Sequence, residues 1–113
     1  MVIRSTVLAS VVSVEHGFGG RHDDMARHFA RYWARRPMRH ERHGTHIAVA
    51  EHEHQDCGEA DGMLTERPGL LLAIATADCV PVLLARKDGR AVAALHVGWR
   101  GAYDGIIGRF AEL

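Results

Sequence analysis

The sequence predicts an α/β (α+β) fold in which apolar strands of a layered, mixed sheet alternate with helices, and three observations carry that expectation. Residues 69–76, GLLLAIAT, are an unbroken apolar run of strand length, the pattern of a strand covered on both faces. Two more apolar runs, 80–85 and 91–97, flank Lys87-Asp88-Gly89-Arg90. The Asp-Gly pair favours a tight hairpin there, because both central residues of such a turn take positive φ. Met25, Phe29, Tyr32 and Trp33 recur at helical spacing on one face.

Taken in order, residues 7–14 read as a buried first strand that ends in the turn-rich His16-Gly17-Phe18-Gly19-Gly20. Asp23 or Asp24 caps a helix expected to run to about Arg36, with Pro37 as its stop and the aromatic stripe facing a core. Residues 46–50 form a short strand, followed by a polar loop over 51–59. The run 69–76 and the hairpin come next. From about Gly101 the pattern turns helical, with Ile106, Phe110 and Leu113 on one stripe. With no internal repeat or linker, residues 1–113 read as one partial domain. Strands this apolar need further layers, so the expectation is of a fold that more chain, or a partner, completes.

Lys+Arg and Asp+Glu balance at 14 each, so no net field recruits nucleic acid or an acidic membrane surface. Arginines do gather at Arg31, Arg35, Arg36, Arg39 and Arg42, either to steer an anion or as a solvated helix face. Nine histidines against two cysteines, Cys57 and Cys79, argue for metal chemistry in a reducing, cytoplasmic compartment and against a disulfide framework. No run reaches the roughly 18 apolar residues of a membrane span. The short β-branched start runs straight into HGFGG and reads as a strand in preference to a secretion signal.

Ala77-Asp78-Cys79 and His96-Val97-Gly98-Trp99-Arg100-Gly101 place a thiol and an imidazole at the ends of two neighbouring antiparallel strands. His43, in a loop before another strand, offers a third donor. A thiolate with two imidazoles suits zinc or copper and disfavours magnesium or calcium. Three protein donors leave a fourth tetrahedral position open, where a water would have its pKa lowered toward about 7. Spacing alone leaves a second reading open, in which Cys79 is a small buried hydrophobe and the histidines are ordinary hydrogen-bonded residues.

The wording of the segments HGF (16–18), HGT (43–45), ADGMLT (60–65), TADCVPVLL (76–84) and HVGWRGAYDGI (96–106) resembles the YfiH-type family. Its members were long labelled multicopper polyphenol oxidases or laccases and are now viewed as purine nucleoside phosphorylases with adenosine deaminase activity. The resemblance covers nearly the whole chain from His16 onward, and the TADC segment followed by H-x-GWRG is its most specific part. It implies a metal triad of His43, Cys79 and His96, acidic residues at Asp61 and Asp78, and an α/β sandwich with helices outside two packed sheets. The implied cofactor is zinc, with copper possible, and the implied ligands are a purine nucleoside and phosphate.

The chain departs from the family pattern in two places. After the HGF turn, Arg21 matches the family's arginine, but the glycine-rich loop that normally follows is largely absent. The family also continues well beyond GWRG. Among other residues, His16 reads equally as a turn-shaping residue or a substrate contact. Arg100, between glycines before a helix N-terminus, suits anion binding or a structural ion pair. His52, His54 and Cys57 resemble a metal cluster but read as a solvated loop.

The leading functional expectation is phosphorolysis of a purine nucleoside with a related deamination of adenosine, in which Asp78 or Asp61 carries protons. Three alternatives accompany it. A copper polyphenol oxidase would need several His-x-His pairs, of which the chain has one at His52 and His54. A Cys79–His96 nucleophile dyad would need a thiolate free of metal. A non-catalytic zinc-binding remnant would self-associate or require a completing partner chain.

Overall fold

The computed structural model describes residues 1–41, 44–98, 102 and 105–111. The chain runs α1 (Thr6–Ala9), α2 (Met25–His28), α3 (Ala30–Trp33), β1 (Met38–His40), β2 (Ile47–Val49), β3 (Asp56–Glu59), β4 (Gly62–Thr65), β5 (Val80–Ala85), β6 (Val92–Val97) and α4 (Ile106–Ala111). The strands form a two-stranded sheet, β1-β3, and a four-stranded mixed sheet in the order β2-β4-β6-β5. β2 runs parallel to β4, while β6 is antiparallel to both β4 and β5. Strand content and short helices therefore dominate. No helix among the described residues is long and apolar enough to cross a membrane.

The hairpin expected around Asp88-Gly89 is present. Val80 pairs with Val97 and Ala85 with Val92, and Gly89 sits at φ +75°, whereas Asp88, contrary to expectation, does not take positive φ. Asp88 closes the turn by accepting from the Arg90 amide at 3.0 Å and from the Arg86 guanidinium at 2.9 Å. The guanidinium of Arg86, more than any other contact, holds the Asp88 carboxyl down to about 2.

Alternation along these strands separates two faces. Ile47, Gly62, Leu95 and Val82 stand in one row across β2, β4, β6 and β5. Ile47, Leu95 and Val97 pack with Ile106 of α4, flanked by Leu64, Val82, Leu84 and Phe110. Gly62 is small for a packing reason: a Cβ there would lie 2.5 Å from Leu95 Cδ2. The residues one step out of phase, Asp61, Met63, Thr65, Ala94 and His96, occupy the other face and are buried too.

Several sequence expectations are corrected. Residues 7–14 are not a strand. Ser5 instead caps α1, its Oγ accepting from the Leu8 amide at 3.3 Å, and Val7 and Val12 are exposed. β-branched residues make a strand only where a partner strand and a covering layer exist, and this segment has neither among the described residues. The run 69–76 also forms no strand: Gly69 turns away from β4 at φ +81°, and residues 70–74 are only half-buried.

The expected helix to Arg36 is two short helices broken at Phe29, whose φ −110° and ψ 34° leave the helical region. The break buries the Phe29 ring against Gly17. Residues 51–59 are not wholly a loop, because Asp56–Glu59 pairs in parallel with β1. That pairing slips by a residue between Met38 and His40, where Gly58 takes φ +67°. A glycine in the left-handed region absorbs such a bulge. The helix after Gly101 and the strand near 46–50 are present as expected, while Leu113 lies outside the described residues.

Candidate metal centre

The chemistry-bearing residues collect at one end of the four-stranded sheet, where β2, β4 and β5 begin and β6 ends. His96 is the penultimate residue of β6, and its register partner across β5 is Pro81. Cys79, two residues before Pro81, therefore lies diagonally across the ladder on the same face as His96, within reach of a side chain. On the other flank Asp61 stands opposite His96. The His96 amide donates to the Asp61 carbonyl oxygen at 2.7 Å, and the Asp61 amide donates to the His46 carbonyl at 2.9 Å.

The Asp61 side chain is buried, and its Oδ2 accepts from the Gly44 amide at 2.7 Å. It thereby ties the loop before β2 to the start of β4. Glu41, just past the end of β1, comes in from the two-stranded sheet. Its Oε1 lies 3.5 Å from His96 Nδ1, with the His96 side chain 4% exposed and that of Glu41 39%. One donor atom from each of Glu41, Cys79 and His96 lies within 4.8 Å of the others.

This donor set fits a transition-metal ion. Ligands 2.0–2.3 Å from a tetrahedral centre stand about 3.3–3.8 Å apart. The Glu41–His96 separation of 3.5 Å falls inside that range, and the Cys79 donor lies within 4.8 Å of both. A thiolate, an imidazole and a carboxylate are the ligand types zinc takes most often. No other group of His, Cys, Asp and Glu among the described residues offers three donors at such distances.

Of the residues expected from sequence, Cys79 and His96 are brought together and Asp61 adjoins them. His43 and Arg100 lie outside the described residues. Asp78 is exposed in the bend next to Cys79. Arg21 is exposed in the turn before α2. His16 is buried and shapes the N-terminal turn: its Nε2 accepts from the Ser5 amide at 2.7 Å, and its ring meets Phe18 edge-on.

Glu41 was not anticipated. A lone glutamate between Arg39, His40 and Arg42 carries no spacing signal, and only its position two residues before His43 hinted at shared placement.

The remaining candidates have local roles. His52 and His54 are exposed and join no donor group among the described residues. Cys57 is half-buried on β3, and burial first, then the neighbouring Asp56 charge, push its thiol up. Of the clustered arginines, Arg42 lies outside the described residues, Arg35 pairs with Glu53 at 3.0 Å, Arg36 stacks over Trp33 at 4.1 Å, and Arg39 donates to the Ala60 carbonyl at 3.1 Å. A cavity of about 720 Å³ contains none of the expected site residues. It lies at the opposite end of the sheet, between Phe29, Tyr32, Arg67, Leu71 and Val92.

With that geometry in hand, the chain can be set beside known proteins. The family described as multi-copper polyphenol oxidoreductase laccase matches residues 22–113. A purine nucleoside phosphorylase of Rickettsia conorii is 46% identical over 65 residues, which cover 58% of this chain and 27% of that protein. The purine nucleoside phosphorylase YfiH of Escherichia coli is 38% identical over 65 residues, with the same coverage of 58% and 27%. Among solved structures, YlmD from Geobacillus stearothermophilus superposes with a TM-score of 0.70 at 31% identity, covering 79% of this chain and 36% of YlmD. The chain thus spans between about a quarter and a third of the length of these relatives.

Proposed function

Because the chain belongs to the multi-copper polyphenol oxidoreductase laccase family, we propose that it contributes the metal-holding part of a zinc-dependent purine nucleoside phosphorylase with adenosine deaminase activity. One observation carries the proposal: the thiol of the TADC segment and the imidazole of the HVGWRG segment converge, with a carboxylate, at one sheet end. The relatives named as purine nucleoside phosphorylases support the substrate class. The layered sandwich with outer helices is the setting we propose for this site.

In this reading Cys79, just before β5, and His96 of β6 hold the metal, and His43 adds an imidazole. When bound, zinc supplies a Lewis acid at that point. Asp61 acts by positioning. Its Oδ2 fixes the Gly44 amide next to His43, and its backbone oxygen fixes the amide of His96. Asp78, exposed beside Cys79, is the carboxylate we assign to take and return a proton. Arg100 and Arg21 are the cations assigned to phosphate, and His16 borders the substrate from the N-terminal turn. The ligands are a purine nucleoside and phosphate, and the compartment is the cytoplasm.

Copper chemistry of the polyphenol oxidase type is less favoured, since it requires a cluster of several histidine pairs and the described residues gather one donor group. A Cys79 nucleophile is likewise disfavoured, because a thiolate coordinated to metal is not free to attack. Metal analysis of the purified chain, combined with an inosine-plus-phosphate assay, tests the proposal. About one zinc per chain with phosphate-dependent release of hypoxanthine supports it. Protein that takes up no zinc rejects it.

A further inference from the structure

We propose that Glu41 is a fourth, displaceable donor to the metal held by Cys79 and His96, so that its carboxylate closes the site until another ligand takes its place. The inference rests on the metal-site reading above and deepens it.

The first argument is distance. Charge-assisted N–H···O bonds run at about 2.7–2.9 Å. Glu41 Oε1 and His96 Nδ1 stand at 3.5 Å. That is too long for such a bond, yet it equals the edge that two ligands share around a tetrahedral ion, about 3.3–3.8 Å. The Cys79 sulfur completes the triangle within 4.8 Å.

The second argument is asymmetry of anchoring. His96 belongs to β6 with its side chain 4% exposed, and Cys79 directly precedes β5, the strand paired with it. Glu41 follows β1, which pairs with β3 in a separate sheet, and its side chain is 39% exposed. It reaches the donor group from a solvent-facing rim, where an entering ligand can meet it.

The consequence follows from coordination number. Three protein donors with an open fourth position define a catalytic zinc site, whereas four protein donors define a closed, structural one. With the proposed His43, the carboxylate of Glu41 brings the count to four. An anion entering the site, such as phosphate, then competes with Glu41 for one position. The Glu41 side chain sets how much phosphate is needed.

Cobalt(II) replaces zinc and reports its ligands by absorption. The wild-type chain, Glu41→Gln and Cys79→Ser are loaded with cobalt and titrated with inorganic phosphate, and zinc affinity is measured by chelator competition. In the wild type a thiolate-to-cobalt band is expected. Glu41→Gln should keep that band, change the visible ligand-field bands, bind zinc about tenfold or more weakly, and respond to phosphate at a tenfold or lower concentration. Wild-type spectrum, affinity and phosphate response in Glu41→Gln would overturn the proposal while leaving the metal site standing. Absence of the thiolate band in the wild type would remove both. A measurement on the wild type needs no variant: zinc binding should shift a carboxylate stretch in the infrared difference spectrum, and no shift would count against Glu41.

Discussion

Asp61 and His96 face each other across the β4–β6 ladder, the amide of His96 donating to the carbonyl oxygen of Asp61 at 2.7 Å. One hydrogen bond thus links the buried carboxylate that holds the Gly44 loop to the buried imidazole of the donor group. The ladder, more than any single side chain, sets the position of the proposed metal ligands. A β-ladder is a suitable mount because its register is fixed by the packing of the opposite face.

The two cysteines are expected to differ. Cys79→Ser should lose most bound zinc, since a hydroxyl is a far poorer ligand than a thiolate. Cys57→Ser should retain it, because Cys57 lies on β3 outside the donor group. Zinc content after gel filtration, measured by atomic emission, separates the cases. Equal loss in both variants would move the site to the neighbourhood of His52 and His54.

Asp61→Ala is expected to lower stability by about 1 kcal/mol, the cost of leaving the part-buried Gly44 amide without its acceptor. Denaturant unfolding gives the loss, and hydrogen exchange at the Gly44 amide should speed up in the variant. Unchanged protection at Gly44 would mean that the carboxylate does not hold this loop.

On the opposite face, Gly62→Ala should cost about 1–3 kcal/mol by overpacking, because the added methyl meets Leu95 Cδ2 at 2.5 Å and Ile47 Cγ1 at 3.3 Å. The midpoint of urea unfolding is the readout. Combining it with Leu95→Ala should recover part of the loss, since the clash is specific to that side chain.

The hairpin carries an acid-sensitive element. Asp88 is held at about 2 by Arg86, below the ordinary carboxylate value of 3.8. A depressed folded-state value contributes stability that is present above 3.8 and is lost as pH falls through about 2. Because the pair is exposed, the effect should be small and salt-sensitive. Carboxyl NMR titration should give a midpoint for Asp88 near 2, and Arg86→Gln should return it toward 3.8. An unchanged midpoint in that variant would assign the shift to the backbone contact with Arg90.

The sequence was informative where local chemistry and tertiary context agree. The Asp-Gly turn fixed the β5–β6 register, and that register alone puts Cys79 and His96 on one face. It was misleading where an apolar run lacks a partner strand: residues 7–14 and 69–76 have strand composition, but composition cannot supply the neighbour that makes a strand. The expected helix divides at Phe29, whose ring is buried beside Gly17, a tertiary contact that helical spacing does not encode. The β1–β3 pair was hidden by its exposure and by the bulge at Gly58, which erase the alternation a reader would seek. Glu41 was illegible for a related reason, since it reaches the donor group from a second sheet whose placement no local pattern encodes.

The central claim is a single zinc ion held by Cys79 and His96, and X-ray absorption at the zinc edge of the zinc-loaded chain tests it most directly. One sulfur at about 2.3 Å together with nitrogen and oxygen donors at about 2.0–2.2 Å is expected. A shell of nitrogen and oxygen alone, with no sulfur, would contradict it.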